Sequence, residues 1–281
     1  MSAGATALSS IISVARSAPR HNENIWRHHG HCTTGVSRPS RTGTARANRR
    51  RDWRQCRHRL ETARRARTEG AKVILTGRNP ERLQRAATEV DALSTAAFDA
   101  TDFKLLERFF GDLSGPVDHV LVTGPGPYYT TLADLDFDRA RSHLDAHVLL
   151  PLQVARHAGK KVRPGGTLLF MSGTNGRRTA KGFVLISALT AALPAMARNL
   201  AFELAPVRVN LIAAGFVDTP LSASLLGDEL ENRRNQLRAT LPIQRVVEPG
   251  DVAALAVHIM SNTALTGATY DIDGGQQLVS V

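Results

Sequence analysis

The charge of this chain changes abruptly near Leu60. Residues 1–59 contain twelve arginines, no lysine, one Glu and one Asp, so they carry +10 of the formal net charge of +11. Both cysteines, both tryptophans and five of the ten histidines lie in the same segment. The following stretch of about 220 residues is nearly neutral and long enough for one large buried core. We therefore expect a basic extension, residues 1–45, and one domain, residues 46–281.

Three interpretations of the basic segment are open. Clustered guanidinium groups attract nucleic-acid phosphates. Residues 1–20 are rich in Ser, Ala and Arg and poor in acids, which is also typical of a mitochondrial transit peptide, with a partial apolar face made by Leu8, Ile11, Ile12 and Val14. We favour a disordered extension with no specific nucleic-acid partner, because Ser, Pro, Gly and Arg dominate as far as Arg51.

The cellular compartment can be predicted from the lack of long apolar runs and the small number of cysteines. No run approaches the eighteen or more apolar residues of a membrane span, and two cysteines within the basic segment make no disulfide framework. The sequence therefore predicts a cytoplasmic protein without a membrane partner. It gives no indication of a metal site.

Beyond Leu60, short apolar runs alternate with segments of helical periodicity. The predicted strands cover residues 71–76, 96–98, 119–122, 166–171, 207–212 and 268–272, and the longer predicted helices cover residues 60–69, 133–158, 183–204, 221–241 and 251–260. Shorter helices are predicted after Asn79 and after Thr101. Strands that alternate with helices of this length favour a parallel sheet covered on both faces, which is the doubly wound α/β fold.

Ligands of such a sheet bind beyond the carboxyl ends of the strands. We therefore expect the residues that directly follow the predicted strands to share one cleft. They are Gly77 and Arg78, Asp99, residues 123–126, Ser172 and residues 215–219.

Four segments together resemble the short-chain dehydrogenase/reductase family. They are TGRNPERL (Thr76–Leu83), FDATD (Phe98–Asp102), VRVNLIAAGFVDTP (Val207–Pro220) and TGATYDIDGG (Thr266–Gly275), in the family's order and spacing. The resemblance runs from about Leu60 onward. It implies a single Rossmann-type domain, an oxidoreductase that acts on a small carbonyl or alcohol substrate, and a homodimer or homotetramer.

The resemblance also implies where the cofactor binds. Gly77 and Arg78 stand where an NAD-preferring member has an acid, and a guanidinium without that acid favours a 2′-phosphate, so NADP is the implied cofactor. The alternative for Arg78 is an exposed surface arginine. The further implied cofactor-binding residues are Asp99 and Ala100 near the adenine, Gly124 and Gly126 in the turn after the next strand, and Gly215, Val217 and Thr219 beside the nicotinamide.

The family's proton-transfer residues are mostly replaced. Ser172 matches the catalytic serine, but Ile186 and Thr190 fall on the Tyr and Lys positions and His147 on the Asn position. We expect Ser172 and His147 together to polarise a carbonyl, since a histidine exchanges protons near neutral pH. His147 could equally be a helix histidine bonded to backbone or water.

Tyr128 and Tyr129 are further candidates for the proton donor. Both lie on the loop after the Gly-Pro-Gly turn, and both could instead be apolar cover for the cleft. The missing Tyr and Lys leave a second function open, a catalytically inactive dinucleotide-fold protein with a binding or assembly role.

The expected first strand and its Gly-rich phosphate turn are absent from residues 46–59. Arg49–Arg59 contains no glycine, and a central strand covered on both faces cannot bury successive arginines without partners. We expect weak or no cofactor binding as a result.

The genetic code relates this segment to the missing turn. Asp52–Arg59 can be written with codons that, read one base later, give TGGSAGIG, and Arg49–Arg51 can likewise become three valines. Trp53 has a single codon, which limits the freedom of this choice. The hypothesis is therefore a shifted reading frame, and the codons of the gene test it.

Overall fold

The computed structural model describes Ile11–Arg16 and residues 57–279. The anomalous segment 46–56 and the rest of the basic extension lie outside the described residues. The strands are β1 (Ile11–Arg16), β2 (Lys72–Gly77), β3 (Ser94–Ala97), β4 (Val117–Thr123), β5 (Val162–Gly173), β6 (Arg208–Ala214) and β7 (Thr269–Ile272). The α-helices are α1 (Arg57–Thr68), α2 (Pro80–Val90), α3 (Phe103–Asp112), α4 (Phe137–Leu144), α5 (Leu150–Ala158), α6 (Val184–Glu203), α7 (Pro220–Leu226), α8 (Leu230–Thr240) and α9 (Pro249–Ser261).

The described strands form one sheet in the order β3-β2-β1-β4-β5-β6-β7. β2 and β3 pair in parallel, as do β4 to β7 in sequence, so these strands all end at one edge. The largest core cluster includes Leu168 and Phe170 of β5 and Leu193 of α6, each almost fully buried. The predicted doubly wound α/β fold is confirmed.

The central strand of the sheet differs from the expectation in two ways. It runs in the opposite direction, and a different segment of the chain forms it. β1 lies between β2 and β4 and runs antiparallel to both, with Ser13 opposite Leu75 and Leu121. The structure therefore departs from a disordered extension at Ile11–Arg16, and the sheet is mixed. The apolar sequence IISVA explains why this segment forms the central strand. A central strand needs apolar residues, and Arg49–Arg59 does not supply them.

The reversal of β1 changes what lies at the cofactor edge. Ile11, the first residue of β1, pairs with Thr123 at the carboxyl end of β4, whereas Arg16 pairs with Lys72 at the start of β2. The chain therefore enters β1 at the cofactor edge and leaves it at the opposite edge.

Helix α1 packs on β2 through a small apolar face. Ala63 and Ala66 belong to one buried cluster with Val73, Leu75 and Leu83. Ion pairs of Arg64 and Arg67 with the acids Glu89 and Asp91 hold the outer side of α1 to α2 and its end.

The predicted long helix over residues 133–158 is interrupted. It consists of α4, a π-helical turn at Asp145–Leu149, and α5. Pro151 lacks an N–H group and its ring crowds the carbonyl four residues earlier, so a wider turn accommodates it. His147 lies in this turn.

Helix α6 is long and apolar enough, by length and composition, to span a membrane. One side of it packs into the core through Leu189, Leu193 and Ala197. Val184 and Phe202 lie on the outside, with Phe202 87% exposed. The helix is therefore a core helix with an uncovered apolar side.

Candidate active site

The carboxyl ends of β4, β5 and β6 bring three predicted site segments together. Val122 pairs with Phe170, and Gly173 with Ala214. The Thr174 N–H donates to the Ala214 carbonyl at 3.2 Å. Ser172 therefore lies between the Gly124 turn and the Gly215 turn, as the sequence predicts.

Arg78 directly follows β2 and reaches towards the end of β3. Its Nη1 lies 3.5 Å from Asp99 Oδ2, and its side chain is 24% exposed. The other carboxylate oxygen of Asp99 accepts from the Thr101 N–H and hydroxyl at 3.0 and 2.7 Å. Arg78 is thus half-buried at the edge of the sheet, which is compatible with a phosphate-binding role and differs from a free surface arginine.

Asp99 does not cap the helix that follows it. Asp102 caps α3 by accepting from the N–H groups of Lys104 and Leu105. Ala100 is 1% exposed and belongs to the core, so only its backbone could contact a cofactor.

Arg59, in the first turn of α1, is a buried charged residue that the sequence did not single out. It is 5% exposed, and its Nε and Nη1 have no hydrogen-bond partner. Burial, and then the charge of Arg78, lower the pKa of Arg59 to about 9. The signal in the sequence is an arginine four residues before Ala63, on the side of α1 that faces β2.

The Gly-Pro-Gly turn after β4 is closely covered. A Cβ at Gly126 would lie 3.1 Å from Leu221 Cδ1, so α7 packs over the turn. A Cβ at Gly124 would lie 3.9 Å from His147 Cδ2, which places the imidazole of His147 beside the end of β4.

The turn after β6 requires glycine at its first position. A Cβ at Gly215 would lie 2.5 Å from Asp273 Cβ and 2.6 Å from Gln276 Oε1. The Phe216 N–H donates to the same Gln276 oxygen at 2.9 Å. The backbone is therefore held close to the segment after β7.

The end of this turn starts α7. Val217 is 9% exposed and forms a parallel bridge with Val247, so its side chain is core and only its backbone is available to a cofactor. Thr219 caps α7 by accepting from the Ser222 N–H at 3.2 Å. Its hydroxyl is therefore already engaged, although it can also donate.

Ser172 carries a buried hydroxyl with no hydrogen-bond partner. The family's Tyr and Lys positions are part of the core, since Ile186 is 2% and Thr190 5% exposed. The Thr190 hydroxyl donates to the Ile186 carbonyl at 2.8 Å, within α6. Of the family's Ser, Tyr and Lys, only the serine position retains a polar group available to a substrate.

His147 stacks on a second histidine that the sequence analysis missed. His147 Nδ1 lies 3.0 Å from the His143 carbonyl, and the two rings are 5.5 Å apart. Because a carbonyl only accepts, Nδ1 carries the proton and Nε2 the lone pair in the neutral ring. Burial lowers the pKa of His147, so the ring stays neutral.

His143 is 2% exposed, and neither of its ring nitrogens has a partner. Burial, and then electrostatic interactions with His147 and Arg139, lower the pKa of His143 to about 4. Its sequence signal is the spacing of four residues from His147, which places both on one side of the helix.

The two candidate tyrosines have different environments. Tyr128 is 7% exposed, stacks on His143 at 5.1 Å and has Arg139 4.0 Å above its ring. Its hydroxyl accepts from the Asp136 N–H at 3.4 Å, and this environment favours its interpretation as apolar cover. Tyr129 stacks on Phe183 at 5.1 Å and is 47% exposed.

Tyr129 remains the tyrosine that can reach a ligand. Its hydroxyl lies 3.5 Å from Asn175 Nδ2, three residues beyond Ser172. Burial raises the pKa of Tyr129. A raised pKa makes it a weaker acid than an ordinary tyrosine, which disfavours it as the proton donor.

The residues fit an NADP-like dinucleotide at two of three places. Arg78 and Asp99 suit the ribose end, and the close backbone turn at Gly215 suits the nicotinamide end. The pyrophosphate region does not match, because Arg59 occupies the start of α1 and β1 runs in reverse. Residues 57–279 contain no group of three or more potential metal ligands.

Comparison with known proteins identifies the family. The family profile described as "Enoyl-(Acyl carrier protein) reductase" matches residues 60–277. A short-chain dehydrogenase/reductase of Stachybotrys chlorohalonatus is 28% identical over 74% of this chain and 87% of its own length. An uncharacterised oxidoreductase of Mycobacterium tuberculosis is 32% identical over 73% of this chain and 82% of its own.

A solved structure agrees with these relatives. A small-chain dehydrogenase in complex with NADPH is similar with a TM-score of 0.62 and 27% identity, over 67% of this chain and 88% of that protein. The chain therefore belongs to the short-chain dehydrogenase/reductase family of oxidoreductases.

Proposed function

We propose that this protein is an NADP-linked oxidoreductase that interconverts a carbonyl and an alcohol. The observation that carries the proposal is the buried, unpartnered hydroxyl of Ser172 between two glycine turns at the carboxyl edge of the sheet. A buried polar atom without a partner costs free energy, which a bound substrate oxygen would offset.

The cofactor would lie along this edge. Arg78, without an acid at Gly77, supports a 2′-phosphate and hence NADP rather than NAD. Four further parts of this edge would hold the remainder of the cofactor. They are Asp99, the backbone of Ala100, the turn at Gly124 and Gly126, and the turn from Gly215 through Val217 to Thr219. The nicotinamide, when bound, supplies or accepts the hydride.

Ser172 and His147 would handle the substrate oxygen. The Ser172 hydroxyl donates a hydrogen bond to that oxygen and polarises it. His147, with Nδ1 bonded to the His143 carbonyl, offers the lone pair of Nε2 and so accepts the alcohol proton during oxidation. Its lowered pKa keeps this base form populated at neutral pH.

Single substitutions at both residues test the proposal. Ser172→Ala should reduce NADP-dependent turnover about 100-fold, as loss of one transition-state donor does. His147→Ala should reduce alcohol oxidation about 100-fold or more. Rates are measured with NADP and NADPH across a panel of alcohols and ketones.

Two matched variants control this experiment. Ser142→Ala removes an exposed serine of α4, and His157→Ala removes a histidine in the last turn of α5. Both should keep the wild-type rate. Normal rates in Ser172→Ala and His147→Ala would discard their proposed roles, and a chain that binds NADPH without turnover would support the non-catalytic alternative.

A homodimer or homotetramer is part of the proposal. Two helical regions carry exposed apolar side chains. They are Leu149 and Leu152 at the start of α5, and Val184 and Phe202 of α6, which otherwise packs into the core. A second copy of the chain would cover them. Sedimentation should show a dimer or larger species, and Phe202→Asp should shift it towards monomer.

We also propose a cytoplasmic location. The competing mitochondrial location is tested by a fluorescent protein fused behind residues 1–20. A diffuse cytoplasmic signal would support the proposal, and an organellar signal would replace it.

A further inference from the structure

A column of stacked side chains leads along α4 to His147. Arg139, His143 and His147 follow one another at intervals of four residues, so they share one side of α4 and the π-helical turn. The rings of His143 and His147 are 5.5 Å apart, with 22° between their planes. Tyr128 stacks on His143 at 5.1 Å and 23°, and the guanidinium carbon of Arg139 lies 4.0 Å from the centre of the Tyr128 ring. We refer to these four side chains as the stacked column.

The far end of the stacked column is anchored to the start of α4. The Tyr128 hydroxyl accepts from the Asp136 N–H at 3.4 Å, and Asp136 caps α4. The cation of Arg139 is attracted to the face of the Tyr128 ring. Tyr128 is also 7% exposed, so its ring has little room to move. A fixed Tyr128 limits how the His143 ring can turn, and His143 in turn limits the ring of His147.

His143 contributes a flat surface to the column. Neither of its ring nitrogens has a hydrogen-bond partner among the described residues, which is a cost in free energy for a buried side chain. Burial is the main cause that lowers its pKa to about 4, so the ring is uncharged at neutral pH. The contacts that the His143 ring does make are its stacks on Tyr128 and on His147.

The orientation of the His147 ring decides what it can do. Nδ1 lies 3.0 Å from the His143 carbonyl, and Cδ2 lies 3.9 Å from the position that a Cβ on Gly124 would take. In an imidazole Cδ2 is bonded to Nε2, whereas Nδ1 is on the other side of the ring. The edge that carries Nε2 therefore lies on the side of the Gly124 turn, at the end of β4. A ring turned by about 180° would lose the hydrogen bond to the carbonyl.

The backbone alone does not fix this orientation. His147 lies within the π-helical turn Asp145–Leu149, in which the Leu150 N–H donates to the Asp145 carbonyl. Such a turn is wider than a regular α-helical turn, so the spacing of four residues from His143 does not by itself set the direction of the side chain. A further restraint is needed, and the stacked column supplies it.

We propose that Tyr128 and His143 are positioning residues, which hold the imidazole of His147 with Nδ1 on the His143 carbonyl and the lone pair of Nε2 at the cleft. The inference rests on the proposed function, in which Nε2 accepts the alcohol proton. A ring that is free to turn also populates the tautomer whose Nε2 carries a proton, and that nitrogen cannot accept another. The role needs a flat ring at both positions, but neither the nitrogens of His143 nor the hydroxyl of Tyr128.

The tautomer of His147 can be observed directly in the full-length protein without substrate. In nitrogen NMR of isotopically labelled histidine, a ring nitrogen that carries a proton and one that carries a lone pair have widely different chemical shifts. The wild type should show the proton on Nδ1 at neutral pH. His143→Leu and Tyr128→Leu, which remove a flat ring, should each show a mixture of tautomers. His143→Phe and Tyr128→Phe, which keep the ring, should restore the wild-type signal.

Turnover of the same variants shows whether the orientation matters for the reaction. The two Leu variants should lower kcat for alcohol oxidation about tenfold with little change in KM, because a displaced proton acceptor slows the chemical step rather than binding. The two Phe variants should have a kcat close to that of the wild type. His258→Leu is the control, since it removes an exposed histidine in the last turn of α9 and should change neither the His147 spectrum nor kcat.

Several results would overturn the proposal. A proton on Nε2 of His147 in the wild type would do so without any variant. Folded Leu variants with the wild-type tautomer and kcat would also contradict it, and the two pairs change different segments, so one pair suffices if a variant of the other fails to fold. Normal turnover in His147→Ala, together with a tautomer that depends on the flat rings, would support the positioning and contradict the proposed function.

Discussion

Two arginines of equal burial have opposite surroundings at the two edges of the sheet. Arg208, at the start of β6, is 5% exposed and donates to five backbone carbonyls at 2.7 to 3.0 Å. Arg59, at the cofactor edge, is also 5% exposed, yet two of its nitrogens have no acceptor. Burial alone therefore does not show what a charged side chain does.

The difference separates a structural role from a binding role. The carbonyls of residues 259–265 converge on Arg208, so that side chain ties the end of α9 to the sheet. Arg59 Nε and Nη1 have no such acceptor among the described residues, and the charge of Arg78 adds to burial in lowering the pKa of Arg59. We infer that the first edge is complete without a ligand and that the second needs one.

Removing Arg208 should have the largest effect. Arg208→Met leaves several buried carbonyls without donors and should lower the free energy of unfolding by about 4 kcal/mol. Urea denaturation measures this value. Arg163→Met, at an exposed arginine 3.5 Å from Asp118, should change it by less than about 0.5 kcal/mol. Equal effects of the two variants would break the comparison.

The pH dependence of stability extends the comparison to His143, whose buried ring nitrogens also have no hydrogen-bond partner. The unfolded chain binds a proton at this ring below about pH 6.5, whereas the folded protein does so only near its lowered pKa of about 4. The contribution of His143 to the free energy of unfolding is therefore complete above pH 6.5. It decreases by about 3 kcal/mol in total as the pH drops towards 4.

His143→Phe isolates that contribution. The variant keeps the stack on Tyr128 and removes the titrating ring. The free energies of unfolding of both proteins are measured by denaturation across this pH range. As the pH falls, the difference between them should shrink or change sign in favour of the variant. Parallel curves would mean that His143 titrates normally.

Removing Arg59 should have a smaller effect, of opposite sign to the loss of Arg208. In a buffer free of phosphate, Arg59→Met removes an unpaired buried charge and should raise the free energy of unfolding by about 2 kcal/mol. Denaturation with and without phosphate measures it. A loss of stability in the phosphate-free buffer would show that Arg59 has a structural role like that of Arg208.

The sequence predicts the outer part of the fold well and its centre poorly. The alternation after Leu60 predicts β2 to β7 to within a few residues. It merges α4 with α5, and α7 with α8, because the turns that divide these helices interrupt no apolar pattern. The replacement of the expected first strand by Ile11–Arg16 could not be predicted from local sequence patterns. Ile11–Arg16 becomes a central strand only because the sheet has a gap between β2 and β4.

The site was predictable where it depends on backbone and less so where it depends on burial. Ser172 lies at the carboxyl end of β5 and Gly215 directly follows β6, so their placement follows from the topology. Arg59 and His143 matter through what surrounds them, and that depends on contacts between distant segments. The sequence shows only that both stand at helix positions that face inward.

The nucleotide sequence bears on the same region. If the codons of Asp52–Arg59 yield the glycine-rich turn one base later, a frame-restored protein should bind NADPH more tightly than this chain. Codons that cannot encode those glycines would rule out the shifted frame.

Direct titration of the full chain with NADPH and with NADH, by fluorescence and calorimetry, tests the central claim that this edge of the sheet recognises a phosphorylated dinucleotide. We predict modest affinity, because the glycine turn is missing, and a preference for NADPH of about tenfold or more that is lost in Arg78→Glu. Equal affinity for the two dinucleotides, or the same preference in Arg78→Glu, would contradict the account.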